Sequence, residues 1–102
     1  MAMLHIVNKS PFERNAFESC LNHASVGDAI LMIEDAVVGA VINTSFATKI
    51  EAALQDKSVY VLLGDLAARG LREDRIISGV EAVDYAGFVD LTVNNATTQS
   101  WL

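Results

Sequence analysis

Few side chains in this sequence have types and spacing suited to chemistry. They are a single cysteine, Cys20, two histidines, His5 and His23, and the adjacent acids Glu34 and Asp35. A nucleophilic thiol needs its pKa lowered by a nearby cation or a helix N-terminus. His23 lies three residues beyond Cys20, close enough to share a helix face with it, and in its protonated form it would favour the thiolate. Against this, Cys20 falls mid-helix near the centre of an apolar arc, which predicts a buried and inert thiol. Both readings stand at this level. Glu34 and Asp35 are consecutive and point in different directions, so they read as a solvated loop or a partner contact rather than an acid/base pair. His5 sits inside an apolar strand and reads as a histidine satisfied by local hydrogen bonds. A tetrahedral metal site wants clustered Cys and His ligands, and one cysteine with two histidines on different elements does not supply it. Neither a metal nor a cofactor is expected.

The elements that must position these groups alternate short apolar runs with helical spacing, the signature of a layered α/β fold. Met3 to Val7 reads as a first strand. Ser10-Pro11-Phe12-Glu13 then reads as a helix start, with Ser10 as cap, Pro11 at the first helical position and Glu13 completing a capping box. Phe12, Ala16, Phe17, Cys20, Leu21 and Ala24 share one side of that helix, and Gly27 supplies its stop. Ala29 to Ile33 is apolar without alternation, as suits a strand covered on both faces. Ala36 to Val41 has no clear type, and Phe46 to Leu54 has helical spacing. Ser58 to Leu63 is a third buried strand that Gly64 ends. Asp65 then caps a brief helix through Arg69, stopped by Gly70. A fourth strand falls at Ile76-Ile77 or at Val80 to Val83, and Asp84 to Val93 is a last amphipathic helix. A polar stretch, Asn94 to Ser100, leads to Trp101 and Leu102. The expected fold class is α/β: a single domain over residues 1–102, three-layered and doubly wound around a mostly parallel sheet of four or five strands, in a flavodoxin-like layout.

Ligands of such sheets bind beyond the carboxyl ends of the strands, which here carry Asn8-Lys9-Ser10, Glu34-Asp35 and Gly64-Asp65. The sequence has no glycine-rich phosphate-binding motif, and two acidic loops would repel a phosphate. The 102 residues carry 13 acids and 7 bases, a net charge of -6, with no Lys/Arg cluster. Direct nucleic-acid binding needs a basic patch and is not expected; basic partner proteins suit the chain better. One thiol cannot form an internal disulfide, in keeping with a reducing, cytoplasmic compartment. Apolar runs reach only about six or seven residues, well short of a membrane span. A 52% hydrophobic content on so small a domain points either to a well-filled core or to apolar residues facing a partner. Trp101, after a polar tail, is an anchor for docking on this chain's own core or on another subunit.

These landmarks together resemble the DsrH/TusB family. Met3-Leu4-His5 leading to Lys9-Ser10-Pro11-Phe12 is similar to its opening. Gly27-Asp28 and Asp35, Val59-Tyr60-Val61 through Asp65 to Leu71, Asp84-Tyr85, Phe88-Val89, Leu91-Thr92-Val93 and Trp101 continue the likeness along nearly the whole chain. The resemblance implies a fold shared with DsrE- and DsrF-like (TusD- and TusC-like) siblings, and a hexamer with two copies of each of three homologous subunits. Such a complex passes persulfide sulfur to a DsrC/TusE-type acceptor. The principal sulfur-carrying cysteine belongs to the DsrE/TusD-type sibling near the end of its third strand, where this chain reads Leu62-Leu63-Gly64-Asp65. Cys20 resembles a cysteine in the first helix of DsrH proteins, which favours the sulfur-oxidation branch and makes Cys20 an auxiliary sulfur site. The alternatives are a TusB-type structural subunit in synthesis of the tRNA wobble 2-thiouridine, and a stand-alone small-ligand-binding α/β protein.

Overall fold

A computed structural model of the chain describes residues 2–101. Five strands, β1 (Met3–Val7), β2 (Ala29–Met32), β3 (Ser58–Leu62), β4 (Glu81–Val83) and β5 (Thr97–Trp101), form one sheet in the order β4-β3-β2-β1-β5. Every neighbouring pair is parallel. Four helices connect them: α1 (Ala16–His23), α2 (Ala47–Ala53), α3 (Leu63–Ala68) and α4 (Tyr85–Asn94).

The strand order and the right-handed crossover rule dictate which face each helix covers. From β1 to β4 the chain always steps in one direction, so α1, α2 and α3 fall on one face. The step from β4 back past β1 to β5 reverses direction and puts α4 on the other. The core divides accordingly. Val7, Phe17, Cys20, Ile30, Met32, Ile50, Val59, Val61 and Leu66 belong to a large buried cluster under the three helices. Leu4, Ala29 and Leu31 form a smaller one, against which Phe88 and Leu91 of α4 pack. All four residues of β2, the middle strand, are buried, as its unbroken apolar run predicts.

Several local expectations need correction. Ser10 does not begin a helix: its carbonyl accepts from Glu13 N and Arg14 N in a separate turn, and its hydroxyl accepts from Phe12 N. Pro11 lies against Gly39, and Phe12 packs edge-to-face on Phe46 with ring centroids 6.5 Å apart, so tertiary contacts hold this turn apart from α1. Gly64 does not separate strand from helix, because α3 starts at Leu63 directly from the end of β3. Ile76 makes an isolated antiparallel bridge to Val41, and the fourth strand is Glu81–Val83. Ala36 to Val41 resolves as a 3₁₀ turn, Glu34–Ala40, whose Ala36, Val37, Gly39 and Ala40 are buried. The polar stretch after α4 is not a tail, since Thr97–Trp101 pairs residue for residue with Met3–Val7. Gly70 does end α3 as expected: its φ is +66°, and Leu71 N bonds back to Leu66 O at 2.9 Å.

Candidate functional site

A buried polar centre joins the start of the chain to its last strand. The turn Ser25–Asp28 places Gly27 at φ +88° and delivers Asp28 to the foot of β2. The Asp28 carboxylate is buried and fully used. Oδ1 accepts from Met3 N at 3.0 Å, and Oδ2 accepts from Ser25 N at 2.9 Å and from His5 Nε2 at 2.9 Å. On the other side of the imidazole, Trp101 Nε1 donates to His5 Nδ1 at 3.1 Å. An indole N–H can only donate, so Nδ1 is the acceptor, and Nε2 carries the proton given to Asp28. Burial pushes the Asp28 carboxyl up. The hydrogen bonds from Ser25, His5 and Met3 outweigh that and hold it below the ordinary carboxylate range.

An aspartate orienting a histidine is the arrangement that activates a nucleophilic hydroxyl. Here the position that a hydroxyl would take is filled by the Trp101 indole. The centre therefore braces the fold: it ties β1, the approach to β2, and β5. Trp101→Phe is expected to leave His5 Nδ1 without a donor and to cost ~1–3 kcal/mol, read as a lower urea midpoint by circular dichroism. An unchanged midpoint would show the bond to be dispensable. Trp101 thus docks on its own chain; Leu102, the other half of that expectation, lies outside the described residues.

Cys20 lies on α1 at 0% exposure, within the large core cluster. Burial pushes its thiol up to about 12 from an ordinary 9.0, and the nearby Asp28 charge adds to the rise. The cation that the sequence offered does not supply a thiolate partner. His23 Nδ1 donates to Ser19 O at 2.8 Å, and its ring lies 5.5 Å from that of Trp101, centroid to centroid. The structure therefore brings His5, His23 and Trp101 together, and it places Cys20 where a thiol packs rather than reacts.

The carboxyl ends of β2 and β3 carry a second polar group. Glu34 adopts φ +50°, and its backbone N–H donates to Asp65 Oδ2 at 2.7 Å. Arg69 donates to Asp35 Oδ1 through both Nε (3.1 Å) and Nη2 (2.8 Å), and through Nη1 to Asp65 O. Glu34 and Asp35 do not converge on a common point: Asp35 turns to the Arg69 guanidinium, and Glu34 meets Asp65 through its backbone. Asp65 is accordingly a loop clamp and not the cap of α3. Among the described residues, no group of three or more His, Cys, Asp or Glu side chains is placed to hold a metal ion. No helix among them is long and apolar enough to cross a membrane.

Nothing in the residue pattern alone assigned a role to Asp28. Its signal was a Ser-x-Gly-Asp turn directly before an apolar strand, a spacing in which an aspartate bonds back to the turn.

Together these features define a class: a small α/β protein with an all-parallel five-stranded sheet, whose polar centre braces the fold and whose thiol is shut in the core. A family model described as "DsrH like protein" matches residues 9–98, and the chain belongs to this DsrH-like family. It is 41% identical over 99 residues to a protein named TusB from Buchnera aphidicola subsp. Baizongia pistaciae, covering 97% of this chain and all of that one. It is 35% identical, with the same coverage, to a protein named TusB from Escherichia coli O81. Among solved structures, the ychN protein from E. coli superposes with a TM-score of 0.81 at 16% identity, covering 98% of this chain and 99% of that one. Protein Tm0979 from Thermotoga maritima superposes at 0.60 with 22% identity, covering 91% and 92%. These two likenesses bear on the fold.

Proposed function

We propose that this chain is a TusB-type structural subunit of a sulfur-relay complex that serves thiolation of the tRNA wobble uridine. The observation that carries this reading is the whole-length identity of 35–41% with proteins named TusB. It favours the tRNA branch over the sulfur-oxidation branch that Cys20 suggested. The local chemistry agrees. The end of β3, where the sulfur-carrying sibling holds its cysteine, is occupied here by Asp65 in its clamp with Glu34 and Arg69. Sulfur transfer proceeds through thiolate attack on an outer sulfur, so it requires access and a fraction of thiolate; Cys20 has neither in this packing. An auxiliary sulfur role for Cys20, and with it the sulfur-oxidation reading, needs α1 to lift from the sheet.

In this proposal the partners are the DsrE- and DsrF-like (TusD- and TusC-like) siblings, two copies of each subunit form the hexamer, and a DsrC/TusE-type protein takes the sulfur in the cytoplasm. The stand-alone ligand-binding reading has less support, because Asp35, Asp65 and Arg69 at the strand ends bond to one another. The test is mass spectrometry of nucleosides from tRNA. Deleting the gene is expected to remove the wobble 2-thiouridine, and both the wild-type chain and Cys20→Ser are expected to restore it. Unchanged thiolation after deletion would reject the proposal, and failure of Cys20→Ser alone would return the sulfur to Cys20.

A further inference from the structure

We infer that this chain meets a homologous subunit through the sheet face that carries α4, and that the partner answers with an apolar patch rimmed by Lys or Arg. This rests on the sibling-complex reading above and adds to it the surface and the chemistry of the partner.

Of the four helices, α1, α2 and α3 each bury residues, whereas α4 buries none. Tyr85, Val89 and Val93 stand four residues apart on α4 and are 73%, 45% and 74% exposed. That spacing makes an i±4 ridge, the row that packs into the grooves of another helix. The surface extends beyond the helix for a geometric reason. A helix is ~10 Å across, whereas five strands at ~4.8 Å spacing make a much wider sheet. The crossover rule puts only α4 on this face, and Ile6, Ile33, Tyr60 and Leu62 remain partly open. Apolar surface left open on both a helix and the sheet beside it marks an interface.

Charge selects the occupant. From residue 81 to the end of the sequence there are three acids, Glu81, Asp84 and Asp90, and no Lys or Arg. Glu81 pairs in register with Tyr60 and shares its side of the sheet, Asp84 caps α4 by accepting from Gly87 N, and Asp90 is exposed on the helix. A second copy of this chain, docked by the same face, would set these acids against themselves. A different subunit with a basic rim is attracted by them and orients on them.

The test co-expresses the chain with its two sibling subunits and measures their association by gel filtration and titration. Tyr85→Lys with Val93→Lys is expected to weaken association by about tenfold or more, with the fold retained by circular dichroism because both sites are exposed. Glu81→Lys with Asp90→Lys is expected to weaken it and to flatten its dependence on salt. Thr48→Lys, exposed on α2 across the sheet, is expected to have no effect. Undiminished association of the Tyr85/Val93 variant would overturn this surface and leave the sibling-complex reading intact. Failure of the wild-type chain to associate with either sibling would overturn that reading and this inference with it. A stable homodimer that the Tyr85/Val93 variant abolishes would overturn the choice of partner.

Discussion

At pH 8, Cys20 in the folded chain is expected to react with a small disulfide reagent at least about a thousandfold more slowly than in the urea-unfolded chain. The factor follows from the thiolate fraction. The folded thiol sits at about 12 and the ordinary thiol at 9.0, so folding removes nearly all of the reactive form. Enclosure under α1 slows the reaction further, since the reagent must reach a sulfur at 0% exposure. The same shift has a stability consequence with a definite sign. The folded state holds its proton more tightly, so the contribution is fully present below pH 9 and is lost as pH rises toward 12. Between those limits the unfolding free energy should fall by up to ~1.4 kcal/mol per pH unit from this group, and Cys20→Ala should remove that slope. Reaction of the native thiol at a rate near that of the unfolded chain would show that α1 opens readily, and it would revive Cys20 as a sulfur carrier.

Asp28→Ala should lower the unfolding free energy by ~3–5 kcal/mol, because hydrogen bonds to a charged group contribute about 1.5–3 kcal/mol each. The substitution removes the acceptor of Met3 N, Ser25 N and His5 Nε2; the His5 bond is buried, whereas the other two reach part-exposed backbone and contribute less. For a domain of this length the melting temperature should drop by more than about 10 °C. The carboxyl is held below its ordinary 3.8, so its contribution is complete above that pH and is lost as pH falls further. Asp28→Asn should therefore flatten the acid arm of the stability profile as well as lower the plateau. A melting temperature within a few degrees of wild type for Asp28→Ala would mean that the polar centre is incidental to folding.

What the sequence made legible is whatever one element reports about itself. The short apolar runs at Met3–Val7, Ala29–Met32 and Val59–Val61 declared strands, the second by unbroken apolarity, and the arc of Phe17 and Cys20 declared the inward side of α1. The parallel, doubly wound layout followed from their alternation with helices. What escaped is what two distant segments decide jointly. Thr97 to Ser100 is polar and exposed, and it becomes a strand because β1 offers it a free edge. Ser10-Pro11 has every local mark of a helix start, yet contacts to Gly39 and Phe46 fix it as a turn. Asp28 stood in the sequence only as part of the family likeness, and two of its partners lie 25 and 23 residues away. The family likeness was legible in sequence; the choice between its branches was not, because Cys20 bore on it one way and whole-length identity bears on it the other.

The pairing of the first strand with the last also governs how the chain comes into being. β1 is made before β2 and can pair with it early, but its second edge stays open until residues 97–101 arrive, and the Trp101–His5 bond spans 96 positions. Contacts so distant in sequence slow folding. Throughout synthesis, then, the nascent chain presents an unprotected strand edge, the surface on which mispairing with another chain begins. A product ending before residue 97 would carry that edge permanently, so translation through residue 101 decides whether both edges of the first strand are covered.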